Sequence, residues 1–282
     1  MIQVNKPGLY STIQDAGRFG YRDKGVPISG AMDQFSAAYA NALLRNEKSA
    51  AVMEITMMGP ELVFDGPVRI AISGADMSPQ INGKAIQNNE VYELKKEDVL
   101  SFGKLKGRIR AYLAVEGGFN TEQVMGSRSW YVPITEHSHL TTGYSLEIGK
   151  KPRANRKTKT KNLPSEFNFD QKELEVYKAP EFNLLTGKQK QQVLNGIFNV
   201  AKENNRMAYQ LKQQILPHKY SILTSATLPG TVQFTPSGKL IILMKDAQTT
   251  GGYPRILQLT DKAIALLAQK RTGEEVRFSL IT

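Results

Sequence analysis

A strongly basic segment near the middle of the chain limits how its 282 residues can fold. Residues 150–161 read KKPRANRKTKTK, with seven Lys or Arg residues, no Asp or Glu and no large apolar side chain. Such a segment cannot enter a hydrophobic core, because burying unpaired charges is costly. We therefore predict an N-terminal lobe over residues 1–149, a basic linker over 150–165 and a C-terminal lobe over 166–282.

The same segment accounts for most of the net charge. The chain has 37 Lys and Arg against 26 Asp and Glu, a net charge of +11, and without residues 150–161 the balance is 30 against 26. A solvated linker explains this distribution, and a patch for nucleic acid or an anionic membrane is the alternative. The segment lacks aromatic side chains that would stack on bases, so we expect no nucleic-acid partner.

Other features of composition narrow the class of protein. Hydrophobic residues make up 40% and charged residues 22%, as in a folded globular protein. The absence of cysteine excludes disulfides, thiolate metal sites and a cysteine nucleophile. No apolar run approaches the roughly 18 residues of a membrane span, and the first residues do not resemble a secretion signal. These features predict a cytoplasmic protein without a membrane contact.

Alternating apolar residues predict a mainly β fold with a few helices, arranged as two barrel-like lobes. The N-terminal strands are expected at Met53–Met58, Leu62–Phe64, Arg69–Ser73, Val99–Phe102 and Arg108–Glu116. The C-terminal strands are expected near Arg206–Leu211, Gly230–Phe234, Leu240–Lys245, Ile256–Leu259 and Val276–Ile281. Hairpin turns are predicted at Asn82-Gly83 and at Pro236-Ser237-Gly238, and helices over about Met32–Leu44 and Asp261–Lys270. Lys188–Val200 is ambiguous, because Asn195-Gly196 interrupts its helical spacing.

Several common catalytic signatures are absent from the sequence. It contains no GxxxxGK[ST], GxGxxG, GxSxG or HExxH motif and no HxE motif followed by CxxC. His137 and His139 would share one face of an extended segment, but a metal needs further ligands, and an ordinary loop is the alternative. We therefore predict no bound metal on this chain.

A first glycine-rich loop, which reads QDAGRFGYRDKG from Gln14, is a candidate anion site. Its glycines permit close backbone approach, so that exposed amides could hold an anion beside Arg18. A tight loop closed by an Asp15–Arg18 ion pair is the alternative. The candidate binding residues are Gln14, Gly17, Arg18, Gly20 and Tyr21, with Asp15 as a candidate proton carrier.

Two later loops are also candidate binding sites. Ser127 and Arg128 could bind a carboxylate or phosphate, although a structural turn explains them equally well. The segment Lys245–Pro254, KDAQTTGGYP, follows the very apolar strand Leu240–Met244, and loops fed by rigid strands often carry function. Asp246 is its candidate general base or ligand anchor, with an Asx-type turn as the alternative. The candidate binding residues of this loop are Gln248, Thr249, Gly251, Gly252 and Tyr253.

Four motifs in this order resemble one known family across nearly the whole chain. They are QDAGRFGYRDKGVPISGAMD, GADMSPQINGK, YLAVEGGFN with VMGSRSW, and GTVQFTPSGKLIILMKDAQTTGGYP. Together they are similar to the family of 5-oxoprolinase C subunits, also called allophanate hydrolase subunit 2 or the biotin-dependent carboxyltransferase family.

This resemblance implies cyclophilin-like barrels and a heteromeric complex with a separate B subunit, acting together with an A subunit. The implied reaction is ATP-dependent opening of the 5-oxoproline lactam to glutamate, with ATP required by the complex and a small-molecule amide as substrate. The amide carbonyl would be activated, for example as a phosphorylated imidate, before water attacks. Arg18, Arg128 and Gly251-Gly252 would stabilise phosphate or oxyanion, and Asp246 or Asp15 would handle a proton.

Two other functions within the resemblance stay open. One is the carboxyltransferase component of a biotin-dependent urea or amide carboxylase, for which the chain carries no biotinyl AMKM motif. The other is a regulatory protein that antagonises a kinase inhibitor.

The sequence departs from the family pattern at two places. Residues 204–212 read NNRMAYQLK where the family commonly has SDRMGYRLEG, with Arg206 retained as a candidate binding residue. Residues 136–144 lack the arginine that usually ends a glycine-rich stretch there. A different substrate or a loss of activity would both explain these departures.

Overall fold

The computed structural model describes residues 1–150 and 168–281, so nearly all of the predicted basic linker lies outside the described residues. The described residues form two compact units. The first comprises residues 1–18 and 29–150, and the second comprises residues 19–28 and 168–281. The linear division at residues 149/150 and 165/166 stays a prediction, and chain order alone does not indicate that residues 19–28 belong to the second unit.

The described part of the first unit contains one helix and two sheets. Helix α1 is Gln34–Leu43, and the strands are β1 Ile2–Lys6, β2 Tyr10–Gln14, β3 Val52–Thr56, β4 Glu61–Phe64, β5 Val68–Gly74, β6 Pro79–Ile81, β7 Lys84–Ala85, β8 Val91–Leu94, β9 Val99–Phe102, β10 Arg110–Val115 and β11 Ser145–Leu146. The six-stranded sheet has the order β11-β1-β4-β9-β6-β7, and the five-stranded sheet has the order β2-β3-β10-β5-β8. Apolar side chains of both sheets form one core.

Strand β10 shows how this unit is layered. All of its residues are buried. Ala111, Leu113 and Val115 belong to the core formed by both sheets, whereas Tyr112 and Ala114 pack with α1. Because successive strand residues point to opposite faces, β10 is covered by a sheet on one side and a helix on the other.

Helix α1 begins at Gln34, two residues after the predicted start near Met32, and it buries a different face from the one its apolar spacing indicates. The Asp33 carboxylate caps it by accepting hydrogen bonds from the backbone N–H groups of Phe35 and Ser36, both at 3.0 Å. The helical spacing of Phe35, Ala38, Tyr39, Ala42 and Leu43 in the sequence predicts that these side chains face the core. Phe35 and Tyr39 are only half-buried, however, whereas Ala37 and Ala40 lie in the core. Because alanine side chains are small, the helix backbone can approach the sheet closely, and the larger side chains of Phe35 and Tyr39 stay half-buried.

The N-terminus of α1 is held by a buried polar network. Glu54 is fully buried, and its Oε2 accepts hydrogen bonds from Met32 N at 2.7 Å and Tyr112 Oη at 3.0 Å. Arg110 Nε lies 3.7 Å from Glu54 Oε1. Burial raises the pKa of Tyr112 well above its ordinary value of 10. Asp33 N donates to the same phenol oxygen at 2.8 Å, so the network links the helix cap to the five-stranded sheet.

The second unit is built around a closed barrel. Its elements are β12 Glu173–Lys178, α2 Gly187–Asn195, β13 Phe198–Asn204, β14 Ala208–Leu211, β15 Ser225–Ala226, β16 Thr231–Phe234, β17 Leu240–Leu243, β18 Thr250–Gly251, β19 Arg255–Leu259, α3 Asp261–Ala268 and β20 Glu275–Leu280. The barrel order is β12-β19-β16-β17-β14-β13-β20, and β15 pairs separately with β18. Strands β12 and β20, which close the barrel, run parallel.

The predicted fold class is confirmed. Both units are mainly β, with three α-helices in the described residues. Asn82 and Gly83 have φ values of 51° and 76°, as a type I′ hairpin turn between β6 and β7 requires. The ambiguous segment Lys188–Val200 contains both the end of α2 and the start of β13, because Gly196 ends the helix. Among the described residues, no helix has the length and apolar character needed to cross a membrane.

Candidate functional site

Asp15 joins two polar loops of the first unit. Its Oδ1 accepts hydrogen bonds from Gly17 N at 2.8 Å and from the hydroxyls of Ser127 and Ser129 at 2.7 Å each. Its Oδ2 accepts one from Arg128 N at 2.7 Å. Four donors on one ionised carboxylate form a strong charge-assisted set. The arrangement makes Asp15 a structural anchor, and its role as a proton carrier stays a prediction.

The buried side chain of Arg18 also links these two loops, and we call the place where they meet the junction. The side chain is 0% exposed, and its guanidinium donates to Val124 O at 3.1 Å and to Ser129 O at 2.9 Å. Gln14 is also buried, and its amide donates to Trp130 O at 3.1 Å. Both side chains are enclosed in this conformation, so a surface anion would reach them only if the loops opened.

The first unit therefore brings together the predicted residues of two loops that are more than 100 positions apart in sequence. The predicted residues at this junction are Gln14, Asp15, Gly17, Arg18, Ser127 and Arg128. The backbone N–H of Arg128 donates to Asp15, and its guanidinium donates to the carbonyl of Thr121. Ligand binding by these residues stays a prediction.

Arg206 and Asp246 form a buried ion pair in the second unit. Arg206 Nε donates to Asp246 Oδ2 at 2.7 Å, and Nη2 donates to Oδ1 at 3.1 Å. A backbone hydrogen bond also joins the two residues, since Asp246 N donates to Arg206 O at 2.9 Å. This planar, two-point geometry is the strongest way to pair a guanidinium with a carboxylate. The sequence motifs singled out both residues, and the structure brings them into contact.

Thr227 fixes the loop that follows Asp246. Its N–H donates to Thr249 O at 3.0 Å, and its hydroxyl donates to Gln248 O at 2.6 Å. Beside it, Ala226 pairs with Thr250 in the small sheet of β15 and β18. The backbone of the predicted loop is therefore held in place before any ligand arrives. Thr227 itself is a residue that the sequence analysis missed.

A second guanidinium–carboxylate pair supports the same region. Arg255 donates through Nε to Glu181 Oε2 at 2.8 Å and through Nη2 to Oε1 at 2.7 Å. Its Nη1 donates to Ala226 O at 2.6 Å, which connects the pair to β15. The hydrogen bonds from Arg255 hold the pKa of Glu181 below its ordinary value, and Glu181 raises the pKa of Arg255 in return.

Two further polar residues of this unit were missed from sequence. Gln233, in β16, is buried, and its Oε1 accepts a hydrogen bond from Gln248 Nε2 at 3.4 Å. Arg22, which follows the predicted residues Gly20 and Tyr21, donates through Nη2 to the carbonyl of Thr227. Burial lowers the pKa of Arg22. The available signal for Gln233 was an amide between Val232 and Phe234 in a short predicted strand.

Gly251 and Gly252, in the loop that follows Asp246, differ in the space around them. A Cβ atom on Gly251 would lie 2.3 Å from Gln233 Nε2, so only glycine fits beside this amide as it stands. A Cβ atom on Gly252 would lie 3.2 Å from the carbonyl oxygen of Ile222, which is a milder contact. Tyr253, the next candidate, is exposed.

The histidines considered as metal ligands lie among aromatic rings. His137 contacts Tyr144 with ring centroids 4.8 Å apart, and His139 stacks on Tyr10 at 5.6 Å. Over the described ranges, 1–150 and 168–281, no group of three His, Asp or Glu residues is arranged to hold a metal ion.

Comparison with known proteins identifies the family. A family model described as the carboxyltransferase domain, subdomain A and B, matches residues 24–280. The chain belongs to this carboxyltransferase-domain family. The resemblance inferred from the four sequence motifs is thereby confirmed.

Two curated relatives in the carboxyltransferase-domain family match essentially the whole chain. The C subunit of 5-oxoprolinase from Escherichia coli is 30% identical over 99% of this chain and 90% of its own length. The C subunit of 5-oxoprolinase from Haemophilus influenzae is 31% identical over 100% of this chain and 92% of its own length.

A solved member of the family has the same fold. The urea carboxylase of Kluyveromyces lactis superposes with a TM-score of 0.86 at 25% identity, covering 100% of this chain. The match covers only 27% of that much longer protein. The likeness thus concerns one part of the carboxylase and not its complete assembly.

Proposed function

We propose that this chain is the C subunit of an ATP-dependent 5-oxoprolinase complex, which opens the lactam of 5-oxoproline to glutamate together with the A and B subunits. The observation that carries this proposal is the end-to-end match to two proteins that bear the name of this 5-oxoprolinase component. The two matches cover 90% and 92% of the relatives' own lengths, so they are not confined to one shared segment.

The second unit supplies groups suited to a small amide substrate. Thr227 holds the backbone around Gln248 and Thr249 in place, and Asp246 is oriented by Arg206. Donors that are fixed before the reaction can stabilise charge that develops on a carbonyl oxygen without the cost of reorganisation. We assign substrate contact to the loop 246–253, with Asp246 as the group that orients substrate or receives a proton.

ATP binding is assigned to the partner subunits. A triphosphate with its metal ion calls for several phosphate-binding donors and for carboxylates on the metal. Arg22 donates to the carbonyl of Thr227, Arg255 is already paired with Glu181, and Gln248 and Gln233 are neutral. These residues do not fit a nucleoside triphosphate, and we derive no step of ATP chemistry on this chain.

Exposed apolar side chains in the second unit support contact with a partner protein. Leu223 is 98% exposed, which is unusual for a leucine, and it lies next to Ile222, whose carbonyl faces Gly252. Large apolar residues at the surface often mark contacts with other proteins. We assign this surface, defined by Tyr220, Leu223 and Leu228, to the contact with the B subunit.

Reconstitution tests the proposed function. The chain would be co-expressed with the A and B subunits from the same source, and glutamate release from 5-oxoproline would be measured with and without ATP. We expect activity that requires all three proteins and ATP. An assembled complex that leaves 5-oxoproline intact and acts on another substrate would refute the proposal. The complex lacking this chain is the control.

A carboxyltransferase component is the second candidate. The family model and the fold of the Kluyveromyces lactis urea carboxylase favour it. Its test is transfer of labelled bicarbonate to urea or a related amide in the presence of a separate biotinylated carrier and a biotin carboxylase. Labelled product that depends on both this chain and the carrier would favour this candidate over the hydrolase.

A further inference from the structure

Two buried hydrogen-bond donors beside Thr227 have no acceptor on the protein in its described residues. The Gln233 side chain is 2% exposed, and its Nε2 atom has no partner among the described residues. Arg22 donates through Nη2 to Thr227 O, but its Nη1 atom is buried and likewise has no partner in residues 1–150 and 168–281. Native proteins pair nearly all buried polar atoms, so two open donors indicate a position for a bound acceptor.

Contacts within the second unit connect both donors to the surroundings of Thr227. A Cβ atom built on Gly251 would lie 2.3 Å from Gln233 Nε2 and 3.5 Å from Thr227 Cγ2. The Gln233 amide and the Thr227 side chain therefore approach the same side of Gly251. Arg22 reaches Thr227 through its carbonyl, and the absence of a side chain at Gly251 is what allows the Gln233 amide to lie there.

The charge of the donors selects the class of ligand. A guanidinium stays protonated at any physiological pH, and no ion pair of Arg22 is found in the described part of the chain. A neutral acceptor such as a carbonyl would satisfy a hydrogen bond but would leave the positive charge without a counter-ion. A carboxylate supplies the negative charge and two coplanar oxygens, one for each donor.

We propose that Arg22 and Gln233 form a subsite for the carboxylate of a small-molecule ligand, with one oxygen on each donor. The chemistry of the subsite rests on these contacts alone. The choice of 5-oxoproline as the molecule that carries the carboxylate rests on the proposed function.

The side-chain amide of Gln233 reports directly on occupancy. The full-length chain, labelled with nitrogen-15, would be titrated with 5-oxoproline, with acetate and with 2-pyrrolidinone, which has the same lactam without a carboxylate. The Gln233 amide signal is assigned by its absence from the spectrum of Gln233→Met. We expect 5-oxoproline and acetate to shift this signal and 2-pyrrolidinone to leave it unchanged.

Two variants test the assignment of the donors. Arg22→Met removes the charged donor, and Gly251→Ala places a methyl group against the Gln233 amide. Each is expected to weaken 5-oxoproline binding by about tenfold or more, the usual effect of losing a hydrogen bond to a charged group. Arg277→Met removes an exposed arginine, and Gly187→Ala adds a methyl group where nothing lies within 4 Å, so both controls should bind normally.

The outcomes separate the subsite from the proposed function. If no carboxylate shifts the Gln233 signal, or if folded Arg22→Met binds as tightly as the wild type, the subsite is overturned. If acetate binds in an Arg22-dependent manner and 5-oxoproline does not, the subsite stands and the proposed substrate is wrong. If 5-oxoproline is hydrolysed by the complex but never shifts the Gln233 signal, the proposed function stands and the subsite is wrong. Thermal melting of each variant confirms that it is folded.

Discussion

The Asp246 carboxylate accepts hydrogen bonds on both oxygens from the Arg206 guanidinium, at 2.7 and 3.1 Å, and both side chains are buried. The pair is therefore a structural element of the second unit as well as a candidate catalytic group. Removing the Asp246 carboxylate would take away the counter-charge that the buried Arg206 guanidinium has in this pair, which is more costly than removing both side chains.

We predict that Asp246→Asn destabilises the protein by about 3–5 kcal/mol, because it removes the negative charge that pairs with the buried Arg206 guanidinium. The double variant Arg206→Met, Asp246→Leu should recover part of this loss. Urea unfolding followed by circular dichroism measures both effects, with Asp170→Asn as an exposed control in the same unit. If Asp246→Asn matches the wild type in stability and abolishes activity of the complex, Asp246 acts in catalysis and is dispensable for folding.

We predict that Asp15→Asn destabilises the first unit by about 1–3 kcal/mol. An amide cannot accept hydrogen bonds at both terminal atoms, so at least one of the four donors on Asp15 loses its acceptor. Thermal unfolding provides the measurement, and the exposed Glu122→Gln, which also removes one negative charge, is the control. A Tm equal to that of the wild type would contradict the role of Asp15 as an anchor.

We predict that the stability contributed by the Glu181–Arg255 pair depends on pH. The pKa of Glu181 lies below its ordinary value of 4.5, because Arg255 hydrogen-bonds the ionised form. The unfolded chain therefore takes up the proton first as the pH falls. The contribution is complete well above pH 4.5 and is lost as the pH falls below that value through the folded-state pKa.

Glu181→Gln tests this dependence. The variant should be less stable than the wild type at pH 7, and the difference should shrink in acid. Urea unfolding midpoints over a series of pH values measure it, with the exposed Glu173→Gln as the matched control. A difference that is the same at every pH would mean that the ionised form of Glu181 is not what stabilises the fold.

We predict that Leu223→Ser weakens assembly with the B subunit without unfolding the chain. Leu223 is 98% exposed, so its removal costs the isolated protein little, whereas a leucine buried in an interface contributes about 1.5–3 kcal/mol. Size-exclusion chromatography and a binding isotherm with the isolated partner measure the effect. Leu184→Ser, at a partly exposed leucine outside the proposed surface, is the control. Unchanged affinity would exclude Leu223 from the contact.

Local patterns in the sequence were sufficient for the fold class and many of the elements. Strand β9 begins and ends at the predicted residues, Val99 and Phe102. The Asn82-Gly83 turn also lies at the predicted position, because asparagine and glycine adopt positive φ values more readily than other residues. The strands β1, β2, β8, β11, β12, β13, β15 and β18 were not predicted. In the helix α1, the buried face differed from the expected one, since the sheet selected small residues for close packing.

The candidate site, like the fold, could be predicted from the sequence only in part. The motifs by themselves determined the family, and they singled out Asp15 in a glycine-rich loop, Asp246 in a loop fed by a strand, and Arg206 as a residue retained from the family pattern. Only the tertiary structure decided their partners. Asp15 meets Ser127 across 112 positions, and Arg22 reaches Thr227 across 205 positions. Backbone preferences and side-chain alternation are encoded within a few neighbouring residues, whereas these contacts form when strands distant in sequence pair and place their loops side by side.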